Sequence, residues 1–139
     1  MDGRDVKVPG LENGFFVGPT IFDHVTKDMS IGDCEIFGPV TCIKRVKNYE
    51  EGIAIMNANP FANGSAIFTQ SGYYARRFAM ETDGGMVGIN VGIPVPTAYF
   101  PFSGNKDSFF TRAKTVTTHW FDEKSAHREV RTWEGSTDV

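Results

Sequence analysis

Residues 64–91 read GSAIFTQSGYYARRFAMETDGGMVGINV. The opening GSAIFTQ (64–70) has the Ile, Phe and Thr content of a strand. Ser71 then offers an N-cap, and Tyr74, Phe78 and Met80 or Glu81 follow at turn spacing, which predicts a helix over 71–83. Gly84 and Gly85 end it, and MVGINV (86–91) returns to strand character. A strand, a helix and a strand with short connections form the parallel βαβ unit.

The same alternation extends toward the N-terminus. VTCIKRV (40–46) alternates β-branched residues with others and reads as a strand. NYEEGIAIMNANP (48–60) reads as a helix, with Asn48 as N-cap, Glu51 at N3 and Pro60 as the stop. The predicted order over 40–91 is therefore βαβαβ, the pattern of a parallel α/β sheet. No GxGxxG loop accompanies it, so the pattern alone implies no dinucleotide. Further upstream, GFFVGPTIFDHV (14–25) suggests a short strand reached through a Gly-Pro turn. KDMSIGDCEIFGP (27–39) holds a short helical turn that Gly38-Pro39 stops. Downstream, GIPVPTAYFPFSGNKDS (92–108) is a proline-rich aromatic loop, and KTVTTHWF (114–121) is a further strand. The segment 122–139 is polar, without a sustained period, and reads as a mobile tail.

Composition narrows the function. The chain has 139 residues, 40% apolar and 22% charged, with twelve phenylalanines, which suits a globular domain or a piece of a larger one. A net charge of −3 with no basic block leaves no electrostatic footprint for nucleic acid. No apolar run is long enough to span a membrane, and MDGRDVKVPG has no signal-peptide pattern. Cys34 and Cys42 form no CxxC pair, and the nearest histidine is His24, so a metal site has no support. Sparse cysteine suits a reducing compartment.

Individual residues leave alternatives open. Cys34 is the conspicuous thiol, but no base or helix N-terminus accompanies it in sequence, and both cysteines read as packing residues, Cys42 inside the core. His24, His119 and His127 are scattered with carboxylates near them, and read as a proton relay or as ordinary surface histidines. Glu35 stands before an apolar run in EIFGPV (35–40). In an extended segment Phe37 points to the same side. An acid that accepts hydroxyl hydrogen bonds, beside an aromatic face, suits a ribose and its ring. A solvated acid next to a packed Phe explains the same residues. Phe100 and Phe102 on FPFSGNK (100–106) read equally as a pocket lining or as ordinary loop packing.

Taken in order, GFFVGPTIF, EIFGPV, EEGIAIMNANPFANGSAIFT, GMVGIN and PFSGNK resemble the aldehyde dehydrogenase superfamily. The likeness runs to Lys106 and resumes at KTVTTHW. INVGIPVP followed by FPFSGNKDSFF is most similar to the CoA-acylating, methylmalonate-semialdehyde dehydrogenase branch. The resemblance implies the C-terminal part of the catalytic domain over 1–110, an oligomerisation-arm strand over 111–121 and a tail over 122–139. It implies NAD as cofactor, CoA as co-substrate, a small aldehyde as substrate, and a cytoplasmic setting (the mitochondrial matrix in a eukaryote). Glu35 matches the family glutamate on the nicotinamide ribose, and Phe37 the aromatic beside the nicotinamide. Phe102, where many relatives have PFGG rather than PFSG, matches a pocket-lining residue, and Asn90 with its following loop another part of that wall. Neither Cys34 nor Cys42 matches the motif of the catalytic cysteine, which the resemblance places upstream, so the chain is expected to be inactive alone. One departure stands out. DSFF runs directly into TRAKTVTTHWF, where the family has a longer connection, which puts the usual homo-oligomer in question. A free-standing α/β binding or scaffold module is the alternative reading.

Overall fold

A computed structural model describes residues 1–32, 34–110 and 113–120. They fall into two compact units, Met1–Lys47 and one beginning at Asn48.

In the first unit, β1 (Thr20–Phe22) and β2 (Val40–Cys42) pair in parallel, Thr20 opposite Val40 and Phe22 opposite Cys42. The ladder continues past both ends, with Thr20 N–H donating to Pro39 O at 2.8 Å and Ile43 N–H to Phe22 O at 2.7 Å. A single 3-10 turn, Ser30–Gly32, is the helical turn expected before Gly38-Pro39. Asp23 and Arg45 close the unit's end with a two-pronged ion pair, 3.0 and 2.7 Å. The N-terminal segment lies along β1, where Ile21 N–H donates to Met1 O at 3.0 Å and Gly18 N–H to Gly3 O at 2.8 Å.

The second unit contains α1 (Tyr49–Asn57), β3 (Phe61–Ala62), β4 (Gly64–Ile67), α2 (Gly72–Glu81), β5 (Met86–Ile89), β6 (Asn105–Lys106) and β7 (Thr115–Thr118). Both helices start where the sequence says. Asn48 Oδ1 accepts from Glu51 N–H at 2.9 Å, and Ser71 Oγ from Tyr74 N–H at 3.4 Å. The main sheet is wholly parallel in the order β4-β5-β7, and β3 pairs antiparallel with β6. All four residues of β5 are buried, as expected of the central strand of a parallel sheet. The core gathers Met86, Val87 and Ile89 with Ala75 and Phe78 of α2. Near the end of α2, Thr82 is 1% exposed and its hydroxyl meets Ser65 Oγ at 2.9 Å. The inner stripe of α2 is therefore Ala75 and Phe78, whereas Met80 faces solvent.

The α/β class and the parallel sheet stand as expected, but the strand partners needed the structure. β4-α2-β5 is a true βαβ unit, whereas β2 pairs with β1, so the predicted first and second βα steps do not share one hydrogen-bonded sheet. The helix over 71–83 stops at Glu81, because Thr82 turns extended and its hydroxyl is held by Ser65 and by Gly84 N–H at 3.2 Å. Cys42, expected in the core, is exposed: it ends a strand of a two-stranded sheet, and its thiol donates to Ile31 O at 3.8 Å. β3 and β6, only two residues each, were not anticipated; they are too short to carry a period. The expected tail at 122–139 lies outside the described residues.

Candidate functional site

Two clusters carry the residues singled out above, one in each unit. In the first, the EIFGPV stretch is a loop leading into β2. Phe37 adopts φ +52°, and Val40 N–H donates back to Gly38 O at 2.7 Å, a tight turn around Gly38-Pro39. An aromatic side chain in the left-handed region costs roughly 1–2 kcal/mol. That conformation also removes the strand alternation that was to align Phe37 with Glu35, so the turn, not a pleat, sets their directions. Phe37 is 91% exposed. Among the described residues no hydrogen bond or ion pair engages the Glu35 carboxylate, and the neighbouring Cys34 thiol donates only to Glu35 O at 3.9 Å. The site thus holds a free acceptor and an open ring on a strained turn. Outliers of this kind concentrate at ligand clamps.

In the second unit, Asn90 follows β5 at φ +60° and is 8% exposed. Its amide oxygen accepts from Thr69 N–H at 2.8 Å and its amide nitrogen donates to Thr69 O at 3.1 Å. Phe102 is half exposed and its ring lies 6.2 Å from that of Phe109, tilted by 55°. Ser103, immediately after it, is fully buried and donates to Gly85 O at 3.0 Å. Gly85 must be glycine here, since a Cβ would sit 2.5 Å from Gly104 Cα. Lys106 (φ +53°) pins the far end of the loop, its Nζ donating to Asn57 O and Asn59 O and pairing with Asp83 at 2.7 Å. Sequence reasoning overlooked Ser103, Lys106 and Thr115. The available signal was the placing of polar residues immediately around an aromatic loop.

Between α1 and α2 lies an ionic and aromatic cluster. Arg77 donates to Glu81 at 2.8 and 3.2 Å and to Glu50 at 2.9 Å, and lies 4.6 Å over the Tyr49 ring. Arg77's hydrogen bonds hold both carboxyls below the usual range. Burial, then the hydrogen bond to Glu81, pushes Tyr49 up to about 12. This arrangement ties helix to helix and presents no open acid or base. Among the described residues no group of three or more His, Cys, Asp or Glu could hold a metal, and no helix is long and apolar enough to cross a membrane.

The chain belongs to the Aldehyde dehydrogenase family, whose profile matches residues 1–126. Among its relatives is malonate-semialdehyde dehydrogenase 2 of Oceanobacillus iheyensis, 49% identical over 133 residues, which take in 86% of this chain and 27% of that protein. The crystal structure of methylmalonate-semialdehyde dehydrogenase from Oceanimonas doudoroffii superposes with a TM-score of 0.73 at 48% identity, over 76% of this chain and 22% of the other. An aldehyde dehydrogenase of Mycobacterium tuberculosis, solved with NAD+, gives a TM-score of 0.62 at 33% identity, over 73% and 21%. The chain thus spans about a quarter of the length of the curated relatives it matches.

Proposed function

We propose that this chain is the part of an NAD-dependent, CoA-acylating semialdehyde dehydrogenase that holds the nicotinamide end of the cofactor and one wall of the aldehyde pocket. The observation that carries the reading is the Glu35–Phe37 turn: an unengaged carboxylate two residues from an exposed ring whose backbone is left-handed. NAD, when bound, supplies the hydride acceptor. Glu35 accepts hydrogen bonds from the hydroxyls of its ribose, and Phe37 covers the ring, so the two residues contribute by orientation. Phe102 lines the aldehyde side. Asn90 holds the loop after β5 through Thr69. Cys34 and Cys42 stay out of the chemistry. The nucleophile and the dinucleotide-binding fold are assigned to the larger remainder of the family architecture, and CoA to release of the acyl group.

The exposed aromatics favour this over a free-standing module, since Phe15, Phe37, Tyr99 and Phe110 stand almost wholly open. The test is reconstitution. The 139-residue chain alone should give no aldehyde-dependent NADH. Mixing it with a polypeptide carrying a family dinucleotide-binding domain and cysteine nucleophile should give turnover. Activity of the chain alone, or no NAD binding and no turnover in the mixture, overturns the proposal.

A further inference from the structure

Phe102 is fastened on both sides to the same strand pair. Before it, Pro101 O accepts from the Thr115 hydroxyl at 3.1 Å. After it, the buried Ser103 hydroxyl donates to Gly85 O at 3.0 Å. That carbonyl is also the acceptor for Thr115 N–H at 2.8 Å. Thr115 opens β7, the outer strand, and Gly85 directly precedes β5, the central one. Backbone stands against backbone at this point, since Gly85 has no room for a Cβ beside Gly104. Three hydrogen bonds therefore meet around one carbonyl and one peptide, and the only side chain between the anchors is Phe102.

The geometry points to Thr115 and Ser103 as positioning residues that set the depth of the Phe102 ring, making the outer strand β7 a specificity element for the aldehyde. This inference rests on the reading of Phe102 as pocket wall. A half-exposed phenylalanine on an untethered loop would swing with its backbone and accept aldehydes of many shapes. Held at both neighbours, and leaning on Phe109, the ring presents a fixed surface, and fixed apolar surfaces discriminate chain length and branching. Thr115 lies on a strand that makes no approach to substrate in this reading, and the Ser103 hydroxyl is turned to Gly85 O, so their influence runs through Phe102.

Two measurements test it, one free of any activity. By NMR on the 139-residue chain, Thr115→Val and Ser103→Ala should each weaken the Phe102–Phe109 ring contact and speed amide exchange at Gly104. Thr115→Ser, which keeps the hydroxyl, should restore both. Thr117→Val, two residues along the same strand, should leave both unchanged. In the reconstituted enzyme, Thr115→Val should shift the ratio of kcat/KM between a short linear and a branched aldehyde by about three- to tenfold, the scale of one neutral hydrogen bond. KM for NAD should hold, with the same rescue by Ser. An unchanged ring contact in both hydroxyl-deleted variants overturns the clamp, as does an unchanged selectivity ratio in an active enzyme. A wild-type mixture without turnover, beside altered rings in the variants, instead counts against the proposed function and leaves the clamp standing.

Discussion

Asn90 and Thr69 bond each other in both directions, amide oxygen to N–H at 2.8 Å and amide nitrogen to carbonyl at 3.1 Å. The side chain of Asn90 completes a ladder that β4 and β5 leave unfinished where the strands end, imitating a neighbouring backbone. Both polar atoms of its amide are engaged, so the side chain serves to hold the loop that follows.

Replacing Asn90 with Ala should lower unfolding stability by about 2–4 kcal/mol, from two unsatisfied backbone groups at Thr69 and the cost of a left-handed alanine. Asn90→Gly should lose less, because glycine accepts φ +60° without strain. Urea denaturation decides this, and equal losses for the two variants would remove the backbone part of the argument.

Tyr49 should ionise only near pH 12. Its raised value makes a stabilising contribution that is complete below the ordinary tyrosine pKa of about 10 and is lost as pH climbs toward 12. An ultraviolet titration should show a late tyrosinate phase that Tyr49→Phe removes. If that variant leaves the titration curve unaltered, burial against Glu81 does not govern Tyr49.

Arg77 acts on the acid side with the opposite sign. Glu50 and Glu81 are lowered by its hydrogen bonds, so their contribution is present above the ordinary glutamate pKa and fades as pH falls below it. Arg77→Met should lower the thermal midpoint at neutral pH and bring the variant closer to wild type in acid. Added salt should narrow the neutral-pH gap, because these are solvent-facing pairs. A gap that is constant with pH would point to lost packing over Tyr49 instead.

Lys114 reaches three carbonyls at the end of α2, those of Ala79, Met80 and Thr82, at 3.2, 3.4 and 2.6 Å. A cation there answers the negative end of the helix dipole. Lys114→Ala should cost about 1–2 kcal/mol. Hydrogen exchange should locate the loss in the last turn of α2 and in β7, and a loss spread evenly over the unit would contradict the capping role.

Glu35→Gln tests the proposed cofactor contact. In the reconstituted enzyme KM for NAD should rise about tenfold, the worth of a charge-assisted hydrogen bond over a neutral one, with KM for aldehyde little changed. A rise in the aldehyde KM alone would assign Glu35 to the other side of the site.

The α/β class, both helix starts and the β4-α2-β5 unit were legible in the sequence, because caps and hydrophobic spacing act within a few residues. Asn48 and Ser71 begin their helices by bonds that reach only three positions along the chain. EIFGPV and PFSGNK likewise marked the family and the residues to watch. Tertiary structure alone decided what those residues can reach. It paired β2 with β1, placed β7 beside β5 of the same chain, and set Cys42 at the surface. It turned Phe37 left-handed, so the extended segment that would align it with Glu35 does not form, and it joined Thr115, Gly85 and Ser103 around Phe102. These are contacts between residues far apart along the chain, fixed by which backbone groups are left to satisfy once the local elements have formed. No period within a single segment encodes them.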